Sequence, residues 1–217
     1  MDRLAPIHAL RNPFAQKRAL YELAGRADLD TLDRLIGEAG NPQLVSAVAH
    51  GTAAHDPRAA LNLAAGIEGE DARDGAIGSI VHTWASTDPE SAAVYVERLP
   101  SPSARLAAVN GVVSEWARYD PAATRSWASE LKPDAVRDQA LYTLVMQSTH
   151  APDDDVAIIG DIRSESQRAD AIQQAVHSLA YSDRDAARLL LQRLPARAEQ
   201  KESLQCFLDD PSNFAGY

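Results

Sequence analysis

Apolar residues recur along this chain with the spacing of amphipathic helices. The stripe that precedes Asp88 consists of Ile77, Ile80, Val81 and Trp84, which fall within about 100° of one another on a helical wheel. The stripe that follows Asp88 consists of Ala92, Tyr95, Val96 and Leu99. No stretch alternates apolar and polar residues over the length of a strand, and the pattern therefore predicts an all-α protein.

The breaks between these helices recur at a nearly constant interval. Asp-Pro pairs begin at Asp56, Asp88 and Asp120, each 32 residues after the last. Steps of 31 and then 32 lead to Ala151-Pro152 and to Asp183. Arginine recurs at nearly the same interval, at Arg73, Arg105, Arg137 and Arg168, and tryptophan recurs at Trp84 and Trp116. We call each such set of equivalent positions a column. Columns that stay in phase in this way indicate an internal repeat.

Each break has a physical cause. An Asp side chain at the N-cap accepts hydrogen bonds from otherwise unpaired backbone N–H groups. Pro is favoured at the first helical position because its missing N–H would have no partner there. Proline also disfavours a helical conformation in the preceding residue, so the earlier helix ends. Each repeat is therefore predicted to be a helix, a break at Asp-Pro and a second helix.

The repeats are predicted to form one helical-repeat domain over residues 1–217. A single hairpin has apolar faces that it cannot bury alone, and stacking against the next hairpin buries them. We therefore expect a right-handed α-solenoid of about six antiparallel helix hairpins with a C-terminal capping helix. The expected repeats are 12–40, 41–69, 71–101, 103–132, 134–163 and 166–195, with the cap at 197–217.

Composition and charge narrow the classes of partner. The chain has 217 residues, of which 40 are alanine, the best helix former. Its 21 Lys and Arg against 31 Asp and Glu give a net charge of −10, which argues against a general nucleic-acid binder. There is no apolar run of membrane-spanning length, and the one cysteine cannot form an internal disulfide. We expect no signal peptide, because the first residues lack a basic segment followed by an apolar core. We expect a cytoplasmic protein, with a soluble part of a longer exported protein as an alternative.

The motif W-A-x-x-D-P-x-x-A occurs from Trp84 to Ala92. It resembles the helical-hairpin repeats, the class that includes the tetratricopeptide and HEAT repeats. It looks like an alanine-rich bacterial variant, and the resemblance covers nearly the whole chain. In the tetratricopeptide consensus the Trp lies early in the first helix, whereas here the Trp ends that helix. The resemblance implies an α-solenoid fold and, for most members, binding of peptides or proteins along a curved groove. A minority of members act on DNA.

Three columns of residues allow a functional interpretation, and each also has a structural one. The tryptophans lie at the centre of apolar stripes, so we expect them in the core. The arginine column could bind an anionic partner, but we favour an ion pair or a hydrogen bond to carbonyls of the preceding helix, because a cation at a helix N-terminus needs local compensation. The histidines of a third column are expected on the outer surface, too far apart to share a zinc ion. They are His50, His82 and His177.

Two further features are interpreted structurally. Asp153, Asp154 and Asp155 lack the spacing of a calcium-binding loop and are expected to complement the dipole of the first turn of a helix. Cys206 lies between apolar residues and is expected to be packed rather than nucleophilic. The sequence contains no phosphate-binding loop, nucleophile elbow or metalloprotease motif. We therefore expect no catalytic residue, no cofactor and no metal site.

These observations favour a non-catalytic protein-binding or scaffolding module that uses the extended groove of a helical-repeat array. If the second helices line that groove, its contact residues are those opposite the core stripes, and two of them are apolar where solvent is expected. The candidate binding residues are Val94, Glu97, Arg98, Ser126, Glu130, Asp161, Leu189 and Arg193. The expected partner is another protein or peptide, without direct binding to nucleic acid and without membrane insertion.

Two alternative functions remain open at this point. An acidic regulator could occupy a basic surface of a nucleic-acid-binding partner, and strong salt dependence of binding would distinguish it from a module with an apolar groove. An enzyme on a helical scaffold is the other alternative, and a deep pocket with several pKa-perturbed residues would favour it.

Overall fold

The computed structural model describes residues 12–24, 42–132, 134–147, 152–210 and 213. Within these residues the chain forms twelve α-helices and no strand, so the all-α prediction is confirmed. The expected second helix of the first repeat, near residues 29–36, and most of the C-terminal tail lie outside the described residues. The chain divides into two compact units, Met1–Glu115 and Trp116–Tyr217. The expectation of a single domain over 1–217 stays a prediction.

The helices of the first unit begin at proline in five of six cases. They are α1 Pro13–Ala24, α2 Pro42–Ala53, α3 Pro57–Ala65, α4 Glu70–Ala85, α5 Pro89–Arg98 and α6 Pro102–Trp116, of which α6 ends at the first residue of the second unit. The helices of the second unit are α7 Pro121–Glu130, α8 Asp134–Met146, α9 Pro152–Asp161, α10 Glu165–Ser182, α11 Arg184–Arg193 and α12 Ala198–Asp209.

The predicted Asp caps are present at every described Asp break. The carboxylates of Asp56, Asp88 and Asp120 each accept a hydrogen bond of 2.9–3.0 Å from the backbone N–H three residues later. Asp183 does the same at the start of α11, at 2.9 Å. The hydrogen bonds with Ser91 lower the pKa of Asp88, as expected for a charged cap. The cap interpretation of this column is therefore confirmed.

Neighbouring helices bury their apolar stripes against one another in the first unit. Helix α2 packs on α1, α3 and α4, and α4 packs in turn on α3 and α5. Ile80 and Val81 of α4 and Val96 of α5 are at most 1% exposed. The first helices α4 and α6 come so close that a Cβ added at Gly78 would lie 2.8 Å from the carbonyl oxygen of Ala107. Glycine is therefore required at this crossing for steric reasons.

The second unit has the same order of packing. Helix α8 packs on α7, α9 and α10, while α10 packs on α9, α11 and α12. Ile158 of α9, Ile172 of α10 and Leu190 of α11 are each 1% exposed and belong to its core. In both units a first helix thus contacts its own second helix and another first helix, which buries its apolar faces on two sides.

The arginine column has the structural role favoured by the sequence. Arg105 donates from Nε to the carbonyl oxygen of Leu99, and Arg168 donates from Nη1 to that of Ile162 at 2.9 Å. Both carbonyls lie just beyond the end of a preceding second helix. Arg137 instead forms a buried ion pair with Asp138 at 2.8 Å. Arg105, Arg137 and Arg168 thus have the structural partners favoured by the sequence, which are carbonyls at helix ends or an ion pair.

An aspartate next to this column joins successive first helices. Ser103, at the start of α6, donates a short hydrogen bond from its hydroxyl to Asp74 of α4. In the second unit Asp138 of α8 accepts a hydrogen bond of 2.6 Å from the backbone N–H of Ser164, the N-cap of α10. Burial acts to raise the pKa of Asp138, but hydrogen bonds from Arg137 and the backbone outweigh it and the pKa is lowered.

The tryptophans belong to the helix interfaces. Trp84 is 7% exposed, and Trp116 and Trp127 are half-buried. Trp84 contacts Tyr95 with ring centroids 5.7 Å apart, and Trp116 contacts Trp127 at 5.9 Å. Because Tyr95 and Trp127 lie 32 residues apart, as Trp84 and Trp116 do, the same ring contact recurs at the repeat interval. The prediction of a core role is confirmed for Trp84.

The close approach of α4 and α6 predicts opposite effects for two glycines of one helix. Gly78→Ala should destabilise the first unit, because the new Cβ would collide with the backbone of Ala107. Gly75→Ala should stabilise the unit by up to about 1 kcal/mol, because no atom lies within 4 Å and alanine has the better helix propensity. Urea unfolding of both variants measures the difference. Equal effects of the two substitutions would contradict the close packing of these helices.

The buried pair of Arg137 and Asp138 predicts a pH-dependent loss of stability. Asp138→Ala leaves a buried guanidinium without its carboxylate and should cost about 3 kcal/mol at pH 7. The folded pKa of Asp138 lies below its ordinary value of 3.8, so its contribution is present above about pH 4 and is lost as the pH falls further. Urea unfolding from pH 7 to pH 3 should show the two proteins converging. Asp170→Ala, at an exposed position of α10, is the matched control and should change little.

Candidate functional site

All eight candidate binding residues lie on second helices and are exposed to solvent. Val94, Glu97 and Arg98 are on α5, Ser126 and Glu130 on α7, Asp161 on α9, and Leu189 and Arg193 on α11. Val94 and Leu189 are 47% and 63% exposed and are the two aliphatic members of this set. The prediction that these residues face solvent is therefore confirmed. Whether this side binds a partner stays a prediction.

A groove in the first unit runs between the second helices α3 and α5. Its volume is about 830 Å³, and Val94 and Arg98 are the two candidate binding residues that line it. Helix α3 contributes Arg58, Leu61 and Asn62 to the opposite side. The lining residues of α3 recur at steps of three and four, so one face of this helix lies along the groove.

The floor of the groove is aromatic and apolar. Trp84 of α4 reaches the floor between the two second helices, and Tyr95 of α5 lies beside it with ring centroids 5.7 Å apart. Leu61, which is 7% exposed, adds an aliphatic surface. Burial raises the pKa of the Tyr95 hydroxyl, so this ring stays neutral at physiological pH. The floor can accept an apolar side chain and retains one polar hydroxyl.

The rim of the groove is charged. Arg58 and Arg98 line it from opposite helices, both exposed, and Glu90 of α5 is the carboxylate of its described lining. In the part of the chain that the structure describes, none of these three side chains forms an ion pair or a side-chain hydrogen bond. An anionic group could thus bind either guanidinium without displacing a partner within the protein.

The corresponding face of the second unit is bridged by ion pairs. Arg125 of α7 lies 4.0 Å from Asp154 and 3.9 Å from Asp161, both on α9. Arg193 of α11 forms a short ion pair with Asp153 at the other side of α9. The acidic cluster does lie in the first turn of α9, as expected from the helix dipole. Its additional role in pairing with arginines of neighbouring helices was not foreseen.

The histidine column is only partly on the surface. His82 is exposed and its Nε2 lies 3.7 Å from a carboxylate oxygen of Glu115. The expectation of an exposed position was wrong for His50 and His177, which are both half-buried, and His177 lies against Phe207 with ring centroids 4.2 Å apart. Burial lowers the pKa of His177, so it is neutral at pH 7. The physical reason is that α12, beyond the last repeat, covers this part of α10.

The packed position expected for Cys206 was also wrong, because this cysteine is exposed. Helix α12 buries Leu204 and Leu208, four residues apart, and Cys206 lies two residues from each and so on the opposite side of the helix. Among the described residues no three His, Cys, Asp or Glu side chains come together as a metal-binding group. None of the described helices combines the length and hydropathy of a membrane span.

Comparison with family models, with curated proteins and with solved structures gives no match to this chain. The groove between α3 and α5 is therefore interpreted from its own geometry and chemistry.

Proposed function

We propose that this chain is a non-catalytic protein-binding module whose groove between α3 and α5 holds a peptide segment of a partner protein. The observation that carries this proposal is the groove itself, with an aromatic floor at Trp84 and Tyr95 beneath a charged rim. Binding sites for peptides commonly combine an apolar anchor surface with a few polar groups that orient the ligand. The exposed Val94 at the edge of the groove extends the apolar surface that a partner would cover.

The length of the groove fits a short peptide. Helix α3 has nine residues and is about 13 Å long at 1.5 Å per residue. That length corresponds to about two and a half turns of a bound helix, or to about four residues of an extended strand. Two or three side chains of the partner would then face the floor. A single amphipathic helix or a short linear motif is therefore the expected form of the ligand.

The chemistry of the groove favours binding over catalysis. Its described lining contains neither histidine nor cysteine and a single carboxylate, Glu90. General acid–base catalysis needs paired groups with a pKa near the working pH, and the described lining does not combine them. Arginine, tyrosine and tryptophan, which do line this groove, are the residues that most often dominate binding energies at protein interfaces.

The resemblance to tetratricopeptide and HEAT repeats agrees with this proposal. We propose further that the hairpins form a right-handed α-solenoid of about six units, as the repeat interval predicts. The recurring Asp caps and the recurring bonds from the arginine column to the preceding helix ends support this arrangement. Of the six candidate residues outside the α3–α5 groove, Glu97 lies on α5 itself, and the other five lie on second helices of the second unit, where they would belong to a surface of that unit.

Selection of peptides tests the proposal directly. The full chain is used as bait for a phage-displayed library of random dodecamers, and selected peptides are synthesised for fluorescence anisotropy. Val94→Gln should weaken binding about tenfold, because it places an amide where the partner would bury an aliphatic surface. The melting temperature should stay unchanged, since Val94 is 47% exposed in the free protein.

A matched variant controls for surface effects in general. Phe14→Gln replaces another exposed apolar side chain of the same unit, 84% exposed and outside the groove, and should leave peptide affinity unchanged. Failure to select any peptide, or wild-type affinity in Val94→Gln, would contradict the proposed function. A loss of affinity that merely follows a loss of thermal stability would contradict it as well.

A further inference from the structure

The two units place different charges at equivalent positions of neighbouring second helices. In the second unit Asp153 directly follows the proline that begins α9, and Arg193 is the last residue of α11. These side chains form an ion pair across 40 residues of sequence. In the first unit Arg58 directly follows the proline that begins α3, and Arg98 is the last residue of α5. The separation is again 40 residues, but both side chains are arginines.

The first unit, which has Arg58 at the position of Asp153, is also the unit that contains the groove. Helices α9 and α11 pack directly on one another, and the pair of Arg193 with Asp153 joins them. Helices α3 and α5 instead border the groove of about 830 Å³, which Arg58 and Arg98 line. Two guanidiniums at the positions of an Arg–Asp pair cannot join their helices as that ion pair does.

The electrostatics of the rim favour an anionic ligand group. The described lining carries two arginines and one carboxylate, a local positive balance in a chain of net charge −10. Glu90 is at the opposite end of α5 from Arg98, eight residues and about 12 Å away along the helix. A guanidinium binds a carboxylate with two parallel hydrogen bonds, which makes arginine a more specific partner for this group than lysine.

We infer that a carboxylate of the bound peptide takes the place that Asp153 has in the second unit and binds Arg58 and Arg98, while an adjacent aromatic or aliphatic side chain lies on Trp84 and Tyr95. The ligand class is thus an acidic peptide with an apolar anchor next to an Asp or Glu residue. This inference rests on the proposed function, since it names the chemistry of the ligand in the same groove.

A small probe tests this subsite without a selected peptide. N-acetylphenylalanine, which carries a carboxylate next to an aromatic ring, is titrated into the ¹⁵N-labelled full chain. Its amide, N-acetylphenylalaninamide, is titrated in parallel. The indole N–H resonance of Trp84, assigned with Trp84→Phe, reports binding at the floor. We expect the acid to bind at least tenfold more tightly than the amide, because the charged hydrogen bonds to arginine are lost with the amide.

Variants at the two arginines show whether they are the groups that bind the acid. Arg58→Gln and Arg98→Gln should each weaken binding of the acid about tenfold and leave binding of the amide unchanged. Arg58→Asp gives the first unit the same Asp and Arg pair that Asp153 and Arg193 form in the second unit. This variant should therefore not bind the acid, and its melting temperature should equal or exceed that of the wild type. Arg197→Gln, an exposed arginine outside the groove, is the control and should bind the acid as the wild type does.

The outcomes separate this inference from the proposed function. Equal binding of acid and amide, or unchanged binding of the acid in Arg98→Gln, would overturn the inference. If selected peptides bind the groove but tolerate Glu→Gln or Asp→Asn replacement without loss of affinity, the module binds peptides and the acidic subsite is wrong. If the acid binds as expected while no peptide can be selected, the two arginines do bind a carboxylate, but the protein-binding proposal fails and with it a peptide as the ligand.

Discussion

Shared burial between neighbouring helices is the constraint on which the rest of this structure depends. Ile80 and Val81 in the first unit, and Ile158 and Leu190 in the second, are almost completely removed from water by residues of other helices. No hairpin could exclude water from both of its apolar faces alone, so each stripe requires the next one. The rotation of every helix about its axis follows from this packing. This rotation determines which side of each second helix faces solvent, and it therefore also determines which residues line the groove.

The local part of the fold could be predicted from the sequence because its causes are local. An Asp cap acts over three residues, and the four described caps were all foreseen. Helical periodicity identified the buried stripes and also the solvent-facing residues, among them Val94 and Leu189. The expected bonds to carbonyls of the preceding helix are present for Arg105 and Arg168, since a cation at a helix N-terminus requires a nearby acceptor.

The features of the structure that the sequence did not predict depend on which helices pack against each other. The surface of α10 carries a half-buried His177 because Phe207 of α12 covers it, and no repeat column contains that information. The pairing of Arg125 with two aspartates of α9 depends on the approach of two helices rather than on spacing within one. The groove likewise lies between two helices, α3 and α5, and the exchange of Asp153 for Arg58 is a difference between two helix pairs rather than a pattern within one helix.

The Asp-Pro break has a consequence for how such a chain can change in length. Its cap is made within four residues and has nearly the same backbone angles at Asp56, Asp88 and Asp120. A segment of 32 residues therefore carries its own helix start. Duplication or deletion of one such segment would leave each second helix with its Asp cap. Evolution could thus lengthen or shorten this protein by whole segments, while the residues of each groove diversified independently.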